Sequence, residues 1–302
     1  MAEAPPMVNR LAGIPVREGI GALAEDYDGF LIDVWGVLHD GFAPFPGVLE
    51  ALRLLRQRGR RVVLLTNSSR RADNIAEQLA GIGVAPDLYD AIVSSGELAW
   101  VLLGRLDHPL LAGVGRRCLA VGADYARPWL DEHGLEPADE ATADFVLLTS
   151  LEKADEPIAE ARGRLAVARG RDLPLLCANP DKIVLIGPDL FVECGTLAAE
   201  YAAAGGRVLM LGKPDGEIYA EAVARLEALG ACRILAIGDS LETDVRGARA
   251  AGLDVALVPG GGVHRETLGL VYGELPEPER LAQLVTQHDA VPDLLLAALR
   301  PE

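Results

Sequence analysis

Eight short apolar runs, separated by longer stretches with helical periodicity, constrain the fold of this chain most strongly. The runs are continuously apolar and do not alternate with polar residues, which is typical of strands buried on both faces of a parallel sheet. They cover residues 29–34, 61–66, 118–121, 145–149, 173–178, 207–211, 233–237 and 254–258. Helix-like stretches lie between them at 48–58, 70–80, 158–168, 217–229 and 242–251. We therefore predict an α/β fold with a doubly wound, Rossmann-like parallel sheet.

Glycine and proline residues mark two points at which the chain is expected to leave this sheet and return to it. The first is Gly81-Ile82-Gly83 with the loop around Pro86, and the second is Ile186-Gly187-Pro188. The stretch between them is long enough for a second domain. We predict a core formed by residues 1–83 and 187–302, with an inserted α/β cap domain at residues 84–186.

Composition excludes several classes of protein. A formal charge of −17 over 302 residues disfavours nucleic-acid binding, because a phosphate backbone would meet a repulsive surface. No apolar run approaches the roughly 18 residues of a membrane span, and the first ten residues do not resemble a secretory leader. We expect a cytoplasmic protein without a membrane partner.

The four cysteines lack metal-site spacing and are expected to be small buried residues. They are Cys118, Cys177, Cys194 and Cys232.

Polar and charged residues directly follow four of the predicted strands. Ligands of open α/β sheets bind at the carboxyl ends of the strands, so we expect these residues to meet at one edge of the sheet. A single such residue is more often a helix cap, but four in chain order favour a binding site. The four segments are Asp33, Thr66-Asn67-Ser68-Ser69, Gly212-Lys213-Pro214 and Gly238-Asp239-Ser240-Leu241-Glu242-Thr243-Asp244.

These residue types together describe a phosphate site. Neighbouring carboxylates repel one another unless a cation neutralises them, and all-oxygen ligation suits Mg²⁺. Lys213 supplies a point charge, while a hydroxyl and backbone amides at a helix start can hold an anion. One carboxylate could then act as a nucleophile and form an aspartyl-phosphate that water hydrolyses.

In its motifs and their order, the chain resembles the haloacid dehalogenase-like (HAD) phosphohydrolases, and within them the NagD-like subclass IIA. The resemblance covers nearly the whole chain, and similar proteins carry an α/β cap between the Thr-Asn and Gly-Lys-Pro motifs. The matching segments are Asp33-Val34-Trp35-Gly36-Val37, Thr66-Asn67-Ser68, Ala178-Asn179-Pro180-Asp181, Cys194-Gly195-Thr196-Leu197, Gly212-Lys213-Pro214 and Gly238-Asp239-Ser240 through Asp244.

This resemblance implies a Mg²⁺-dependent phosphatase of a small phosphorylated metabolite, such as a sugar phosphate or a nucleotide. Asp33 would be the nucleophile and Lys213 would stabilise the charge that it shares with the phosphate. Mg²⁺ would be held by Asp33, Asp239, Asp244 and the main chain of Trp35. The implied substrate-binding residues are Thr66, Asn67, Ser68, Asn179, Asp181, Gly195 and Thr196. Similar proteins often form dimers through the cap, so a homodimer is possible here too.

Trp35 departs from the family pattern, in which a second aspartate protonates the leaving group. An indole cannot move a proton, so turnover of substrates with poor leaving groups should suffer unless another residue substitutes. Three interpretations remain open. The protein is a phosphatase that uses Asp40, His39, a cap residue or the substrate as the acid; or it acts on acyl or aryl phosphates; or it binds a phosphometabolite with little turnover. The ring of Trp35 could equally pack against the cap or stack on an aromatic leaving group.

Other features favour simpler interpretations. The glycine run after residue 258 lacks the spacing of nucleotide-binding loops and is expected to be a flexible connection. His264 beyond it is expected to lie on the surface. Arg70 and Arg71 are expected to be solvated on the first turn of a helix.

Overall fold

The computed structural model describes residues 13–151, 155–186 and 189–302. The described chain divides into two compact units. The first unit contains the described residues up to Leu65, together with Ala76–Ile92 and Tyr219–Glu302. The second unit contains Thr66–Ile75 and Val93–Ile218.

A seven-stranded sheet forms the centre of the first unit. Its strand order is β1-β14-β13-β12-β2-β3-β4. Parallel pairing joins β2 to β3 on one side and to β12 on the other, with Ile32 opposite both Leu64 and Ile237. The central strand β2 is buried along its whole length, which explains why its sequence is continuously apolar up to the terminal aspartate. The strands are β1 (Val16–Arg17), β2 (Gly29–Asp33), β3 (Arg61–Thr66), β4 (Ala91–Ser94), β12 (Ile234–Gly238), β13 (Asp254–Leu257) and β14 (Leu294–Leu296).

A five-stranded parallel sheet forms the centre of the second unit, in the order β11-β8-β7-β5-β6. An antiparallel hairpin, β9 with β10, accompanies it. Apolar clusters that contain Leu119 and Phe145 pack around this sheet. The strands are β5 (Arg117–Val121), β6 (Glu136–Pro137), β7 (Phe145–Leu148), β8 (Leu175–Cys177), β9 (Ile183–Ile186), β10 (Asp189–Val192) and β11 (Val208–Met210).

Eleven α-helices connect these strands in the described part of the chain. They are α1 (Leu23–Asp26), α2 (Val48–Gln57), α3 (Ala72–Gly81), α4 (Ser95–Arg105), α5 (Arg127–Glu132), α6 (Asp155–Gly170), α7 (Cys194–Ala203), α8 (Gly216–Ala228), α9 (Arg246–Ala250), α10 (Arg265–Leu268) and α11 (Pro278–His288). A single π-helical turn, Leu241–Val245, precedes α9. None of the helices in the described residues is both long and apolar enough to cross a membrane.

The predicted α/β class is confirmed, but the sheet assignment of one strand was wrong. Lys213 was expected to follow a strand of the same sheet as Asp33, whereas β11 belongs to the five-stranded sheet. An apolar run identifies a buried strand without identifying its neighbours, because pairing depends on tertiary contacts. The predicted cap at residues 84–186 stays a prediction, and its boundary at Gly187 and Pro188 lies outside the described residues. Cys232 is exposed, so only the other three cysteines are buried as expected.

Candidate active site

Three carboxylates of the first unit converge at the carboxyl ends of β2 and β12. Asp33 is the last residue of β2, Asp239 follows β12, and Asp244 lies in the π-helical turn. One carboxylate oxygen from each lies within 4.8 Å of the others. Their side chains are nearly inaccessible, with exposures of 7%, 6% and 5%. Buried carboxylates at such separations repel one another, so this all-oxygen group is suited to a hard divalent cation.

Main-chain groups hold two of these carboxylates in place. The amide of Val263 donates to Oδ2 of Asp239 at 2.9 Å, and the amide of Ser240 donates to Oδ2 of Asp244 at 3.2 Å. The buried hydroxyl of Tyr219 donates to the main-chain carbonyl of Asp244 at 3.1 Å. Hydrogen bonds from main-chain amides therefore orient the carboxylates of Asp239 and Asp244.

Gly36 explains how the chain passes so close to this group. Its φ angle is +82°, and a Cβ atom there would lie 2.9 Å from the carboxylate of Asp239. Both the left-handed conformation and the close approach favour glycine at this position. Glycine at position 36 is thus required by the geometry of the turn.

Trp35 lies in that turn and is partly exposed. Its ring contacts His39 edge-on, with the ring centroids 5.0 Å apart. The amide of Gly36 donates to the carbonyl of His39 at 3.0 Å, which closes the turn. The indole therefore packs against an imidazole of its own loop, and it offers no proton for transfer.

The two titratable residues nearest to Trp35 in sequence are both engaged by their own loop. His39 is buried, and its Nδ1 accepts the amide of Gly41 at 2.9 Å. Burial lowers the pKa of His39 to about 4, so the ring is neutral near pH 7.

Oδ1 of Asp40 accepts the amides of Phe42 and Ala43 at 2.9 and 3.1 Å. Desolvation alone would raise the pKa of Asp40, but these amides bring it below its usual value. Asp40 is thus an ionised turn-capping residue at neutral pH, and a proton donor would need a raised pKa.

A second group of predicted site residues meets around Asn67, within the second unit. Its Oδ1 accepts from the amide of Lys213 at 2.6 Å and from the hydroxyl of Ser95 at 3.4 Å. Its Nδ2 donates to Oδ1 of Asp181 at 2.7 Å and to the carbonyl of Lys213 at 3.1 Å. All the hydrogen-bonding groups of this carboxamide are in use. A substrate contact by the Asn67 side chain would require breaking one of these bonds, and its substrate role stays a prediction.

Replacement of Asn67 by alanine is expected to destabilise the protein measurably. The buried amide of Lys213 would lose its acceptor, so the free energy of unfolding should fall by roughly 2 kcal/mol or more. Urea unfolding followed by circular dichroism measures this change. Asn74→Ala, at an exposed position of α3, is the matched control and should stay near the wild-type midpoint. Equal midpoints for the two variants would contradict a stabilising role for the hydrogen bond between Asn67 and the Lys213 amide.

Hydroxyl groups form a chain beside this group, also within the second unit. Oγ of Ser69 bonds the hydroxyl of Tyr125 and donates to Oγ of Ser150 at 2.9 Å. Nδ2 of Asn179 donates to the same Ser150 oxygen at 3.1 Å. The loop after β3 is therefore tied to the five-stranded sheet of its unit by side-chain hydrogen bonds. Burial raises the pKa of the Tyr125 hydroxyl, so it stays protonated.

Arg70 and Arg71 are partly buried and engaged by neighbours, so their predicted solvated position was wrong. The guanidinium of Arg70 lies 4.6 Å from the centroid of the Tyr125 ring. That of Arg71 binds both carboxylate oxygens of Glu97, at 2.7 and 3.1 Å. Tertiary contacts, with Tyr125 for Arg70 and with Glu97 of α4 for Arg71, decide these positions, and a local helix pattern cannot show them.

The remaining predicted substrate residues have structural contacts. Oγ1 of Thr66 accepts the amide of Ser68 at 3.2 Å. The amide of Gly195 donates to the carbonyl of Asp181 at 3.0 Å, and Oγ1 of Thr196 donates to the carbonyl of Lys182 at 2.7 Å. These bonds tie the start of α7 to the segment that follows β8, and the substrate roles stay predictions.

Sequence reasoning missed the loop that covers Asp239. Residues 259–262 were expected to be a flexible connection and His264 a surface residue. Instead all three glycines are buried, and His264 is only 7% exposed. Three successive glycines shortly after a buried strand were the available signal, since close packing of backbone on a neighbour favours glycine.

The burial of His264 predicts a loss of stability in acid. Burial, with a contribution from His288, lowers the pKa of His264 from 6.5 to about 4. The unfolded chain then takes up a proton at a higher pH than the folded protein does, so stability falls as the pH drops from 6.5 towards 4. By about pH 5 the loss should reach roughly 1 to 2 kcal/mol.

Urea unfolding in EDTA between pH 7.5 and pH 5 measures this loss. His264→Gln cannot titrate, so its stability should fall less steeply over this range than that of the wild type. His108→Gln alters a histidine of the second unit and should follow the wild-type curve. Parallel curves for His264→Gln and the wild type would contradict the assignment.

The sequence matches two known families of related enzymes. Residues 30–136 match "Haloacid dehalogenase-like hydrolase", and residues 210–288 match "HAD-hydrolase-like". A crystal structure of a haloacid dehalogenase-like hydrolase from Brucella suis has 34% sequence identity and a TM-score of 0.78. That match covers 94% of this chain and all of the other. The chain belongs to the haloacid dehalogenase-like hydrolases.

Within these HAD hydrolases the chain falls in the NagD-like subclass IIA. It is 31% identical to D-glycerol 3-phosphate phosphatase of Mycobacterium tuberculosis, over 78% of this chain and 64% of that protein. It is 28% identical to ribonucleotide monophosphatase NagD of Escherichia coli, over 76% and 87% of the two chains. A structure of the M. tuberculosis glycerol phosphate phosphatase in complex with magnesium matches at 28% identity, with a TM-score of 0.62. This match covers 80% of this chain and 70% of the other. The predicted family and its hydrolase class are thus confirmed.

Proposed function

We propose that this protein is a Mg²⁺-dependent phosphatase that hydrolyses the monoester of a small phosphorylated metabolite through an aspartyl-phosphate. The buried group formed by Asp33, Asp239 and Asp244 carries this proposal. Two relatives in the same subclass support it, because one is a D-glycerol 3-phosphate phosphatase and the other is a ribonucleotide monophosphatase. The absence of nucleic-acid and membrane partners, the cytoplasmic location and the cap-mediated dimer stay predictions.

The donor set fits Mg²⁺ on chemical grounds. Asp33, Asp239 and Asp244 offer only oxygen atoms, which this hard cation prefers, and their mutual repulsion would be relieved by a divalent ion. The main-chain carbonyl of Trp35 is a further proposed ligand. When bound, Mg²⁺ would neutralise charge on the carboxylates and on the phosphoryl oxygens.

Asp33 performs the covalent step in this proposal. A carboxylate oxygen of Asp33 forms a bond to phosphorus while the bond from phosphorus to the leaving oxygen breaks, and the leaving oxygen departs as an anion or takes a proton from solvent. Water then attacks phosphorus, loses a proton, and displaces the Asp33 carboxylate to release inorganic phosphate. Lys213 is assigned to stabilising negative charge, and Thr66 with Ser68 to binding phosphoryl oxygens, on the family resemblance.

Trp35 defines the substrates that this proposal favours. With no aspartate at that position, and with Asp40 ionised as a turn cap, leaving groups that depart without protonation should react best. Aryl and acyl phosphates have such leaving groups, whereas sugar phosphates and nucleoside monophosphates rely more on an acid.

Release of inorganic phosphate from aryl, acyl, sugar and nucleotide phosphates, with and without Mg²⁺, tests the proposed function. We expect release that requires Mg²⁺ and is fastest for aryl and acyl phosphates. If no substrate is hydrolysed but one of them binds in the presence of Mg²⁺, the protein is a phosphometabolite-binding protein and the enzymatic proposal is wrong.

A further inference from the structure

The loop of residues 259–264, which joins β13 to α10, lies against the carboxylate group of the first unit. The amide of Val263 donates to Oδ2 of Asp239 at 2.9 Å. A Cβ atom on Gly262 would lie only 1.6 Å from the same oxygen. The main chain of this loop therefore packs directly against the Asp239 carboxylate. Any shift of the loop would move the Val263 amide that donates to Asp239.

His264 extends the reach of the same loop to a second segment. Its side chain is buried, and Nε2 accepts the amide of Leu241 at 3.0 Å. Leu241 is the first residue of the π-helical turn that carries Asp244. Amides at the start of a helical turn have no acceptor within the turn, so an outside acceptor is needed when they are buried. His264 supplies it.

Two adjacent residues of one loop thus hold two different carboxylate segments. Val263 binds Asp239 directly, and His264 binds the first amide of the turn that presents Asp244. The turn is held from within as well, because Oγ of Ser240 accepts the amide of Thr243 at 3.3 Å. What the loop adds is a further link between the turn and Asp239, beside the bond from the amide of Ser240 to Asp244.

A packing role alone does not account for this contact. The His264 ring neighbours that of His288, with centroids 5.2 Å apart, and an apolar ring could fill that space equally well. Such a ring could not accept the Leu241 amide. Nε2 of His264 therefore contributes a hydrogen-bond acceptor, which the volume of the ring alone cannot supply.

We propose that His264 is a positioning residue for the metal site, which fixes the Asp244 turn relative to Asp239 through the amide of Leu241. This inference rests on the proposed function only in that Asp33, Asp239 and Asp244 hold Mg²⁺. Residues that orient metal ligands without touching the metal typically change metal affinity by about 10- to 100-fold when altered.

Calorimetric titration of the full chain with Mg²⁺ alone, without substrate, tests this role. His264→Phe keeps an aromatic ring but has no acceptor, and its dissociation constant for Mg²⁺ should rise by roughly 10-fold or more. His264→Gln can place an amide oxygen near the position of Nε2 and should recover most of the affinity. His288→Phe alters the neighbouring ring, leaves the acceptor intact, and should bind Mg²⁺ like the wild type. Wild-type affinity in a folded His264→Phe would overturn the proposal.

A measurement on the unaltered protein keeps the proposal testable if His264→Phe does not fold. Since Nε2 accepts a hydrogen bond, the neutral ring must carry its proton on Nδ1. Long-range proton–nitrogen correlation spectra of the histidine rings identify this tautomer, and the His264 signal is the one lost in His264→Gln. A proton on Nε2 at pH 7.5 would overturn the contact and the proposal with it.

These outcomes separate the inference from the proposed function. Mg²⁺ binding that depends on His264, without hydrolysis of any phosphate, would leave the inference standing and reject the phosphatase. Hydrolysis together with unchanged Mg²⁺ affinity in His264→Phe would reject the inference and leave the proposed phosphatase standing. A wild-type protein that binds no Mg²⁺ would reject both.

Discussion

Asp33→Asn should abolish phosphate release from every substrate that the wild-type protein hydrolyses, with a loss on the order of 10⁴-fold or more. The amide of asparagine has the shape of the carboxylate but is a very poor nucleophile. A covalent mechanism without its nucleophile retains only binding and electrostatic contributions, which is why such losses are large. Asp33 also belongs to the group proposed to hold Mg²⁺, so the substitution removes a metal ligand together with the nucleophile.

Rapid quenching with substrate labelled in the phosphoryl group measures the step directly. The wild-type chain should carry label on the peptide that contains Asp33, and Asp33→Asn should carry none. Asp26→Asn, at an exposed position of the first unit, removes the same charge and should hydrolyse at the wild-type rate. Labelling or full turnover in Asp33→Asn would reject Asp33 as the nucleophile.

The strands around Asp33 could be predicted from sequence because a strand buried on both faces has a continuously apolar sequence. Residues 29–32 are continuously apolar before Asp33 ends the strand, and β2 is buried along its whole length. The family resemblance implied that Asp33, Asp239 and Asp244 form one metal-binding group, and the register that aligns Ile32 with Ile237 places the ends of β2 and β12 side by side.

The sheet to which β11 belongs could not be predicted in the same way. Its residues are only partly buried, and its partner is β8, which is more than 30 residues away in sequence. Nothing local distinguishes an edge strand of one parallel sheet from an edge strand of another. Lys213 was therefore identified by its motif, while the contacts of its main chain with Asn67 became visible only in the structure.

His264 shows a second limit. Histidine is only intermediate in its tendency to be buried, and no apolar pattern surrounds this one, so exposure was predicted. Its burial is decided by a backbone amide 23 residues earlier in the chain, at the start of the π-helical turn. Residues that orient a site through main-chain contacts have no spacing rule of their own, so the carboxylates were predicted and the loop that holds them was not.

Trp35→Asp should widen the substrate range towards phosphates with poor leaving groups. General acid catalysis is typically worth about 10² to 10⁴ in rate, and the indole of Trp35 supplies none of it. An aspartate at this position would restore the family pattern of two acids separated by one residue. We expect hydrolysis of sugar phosphates to rise by roughly 10²-fold relative to aryl phosphates, since only the former need a proton on departure.

Trp35→Asn separates proton transfer from loss of the indole. Both variants lose the ring contact with His39, and both side chains have nearly the same size, but only aspartate can donate a proton. The ratio of kcat/KM for a sugar phosphate to that for an aryl phosphate should therefore rise in Trp35→Asp alone, and it should fall at high pH as the new acid ionises. Equal ratios in the two variants would mean that Trp35 limits substrates by its bulk. The acid would then be supplied elsewhere, by the protein or by the substrate itself.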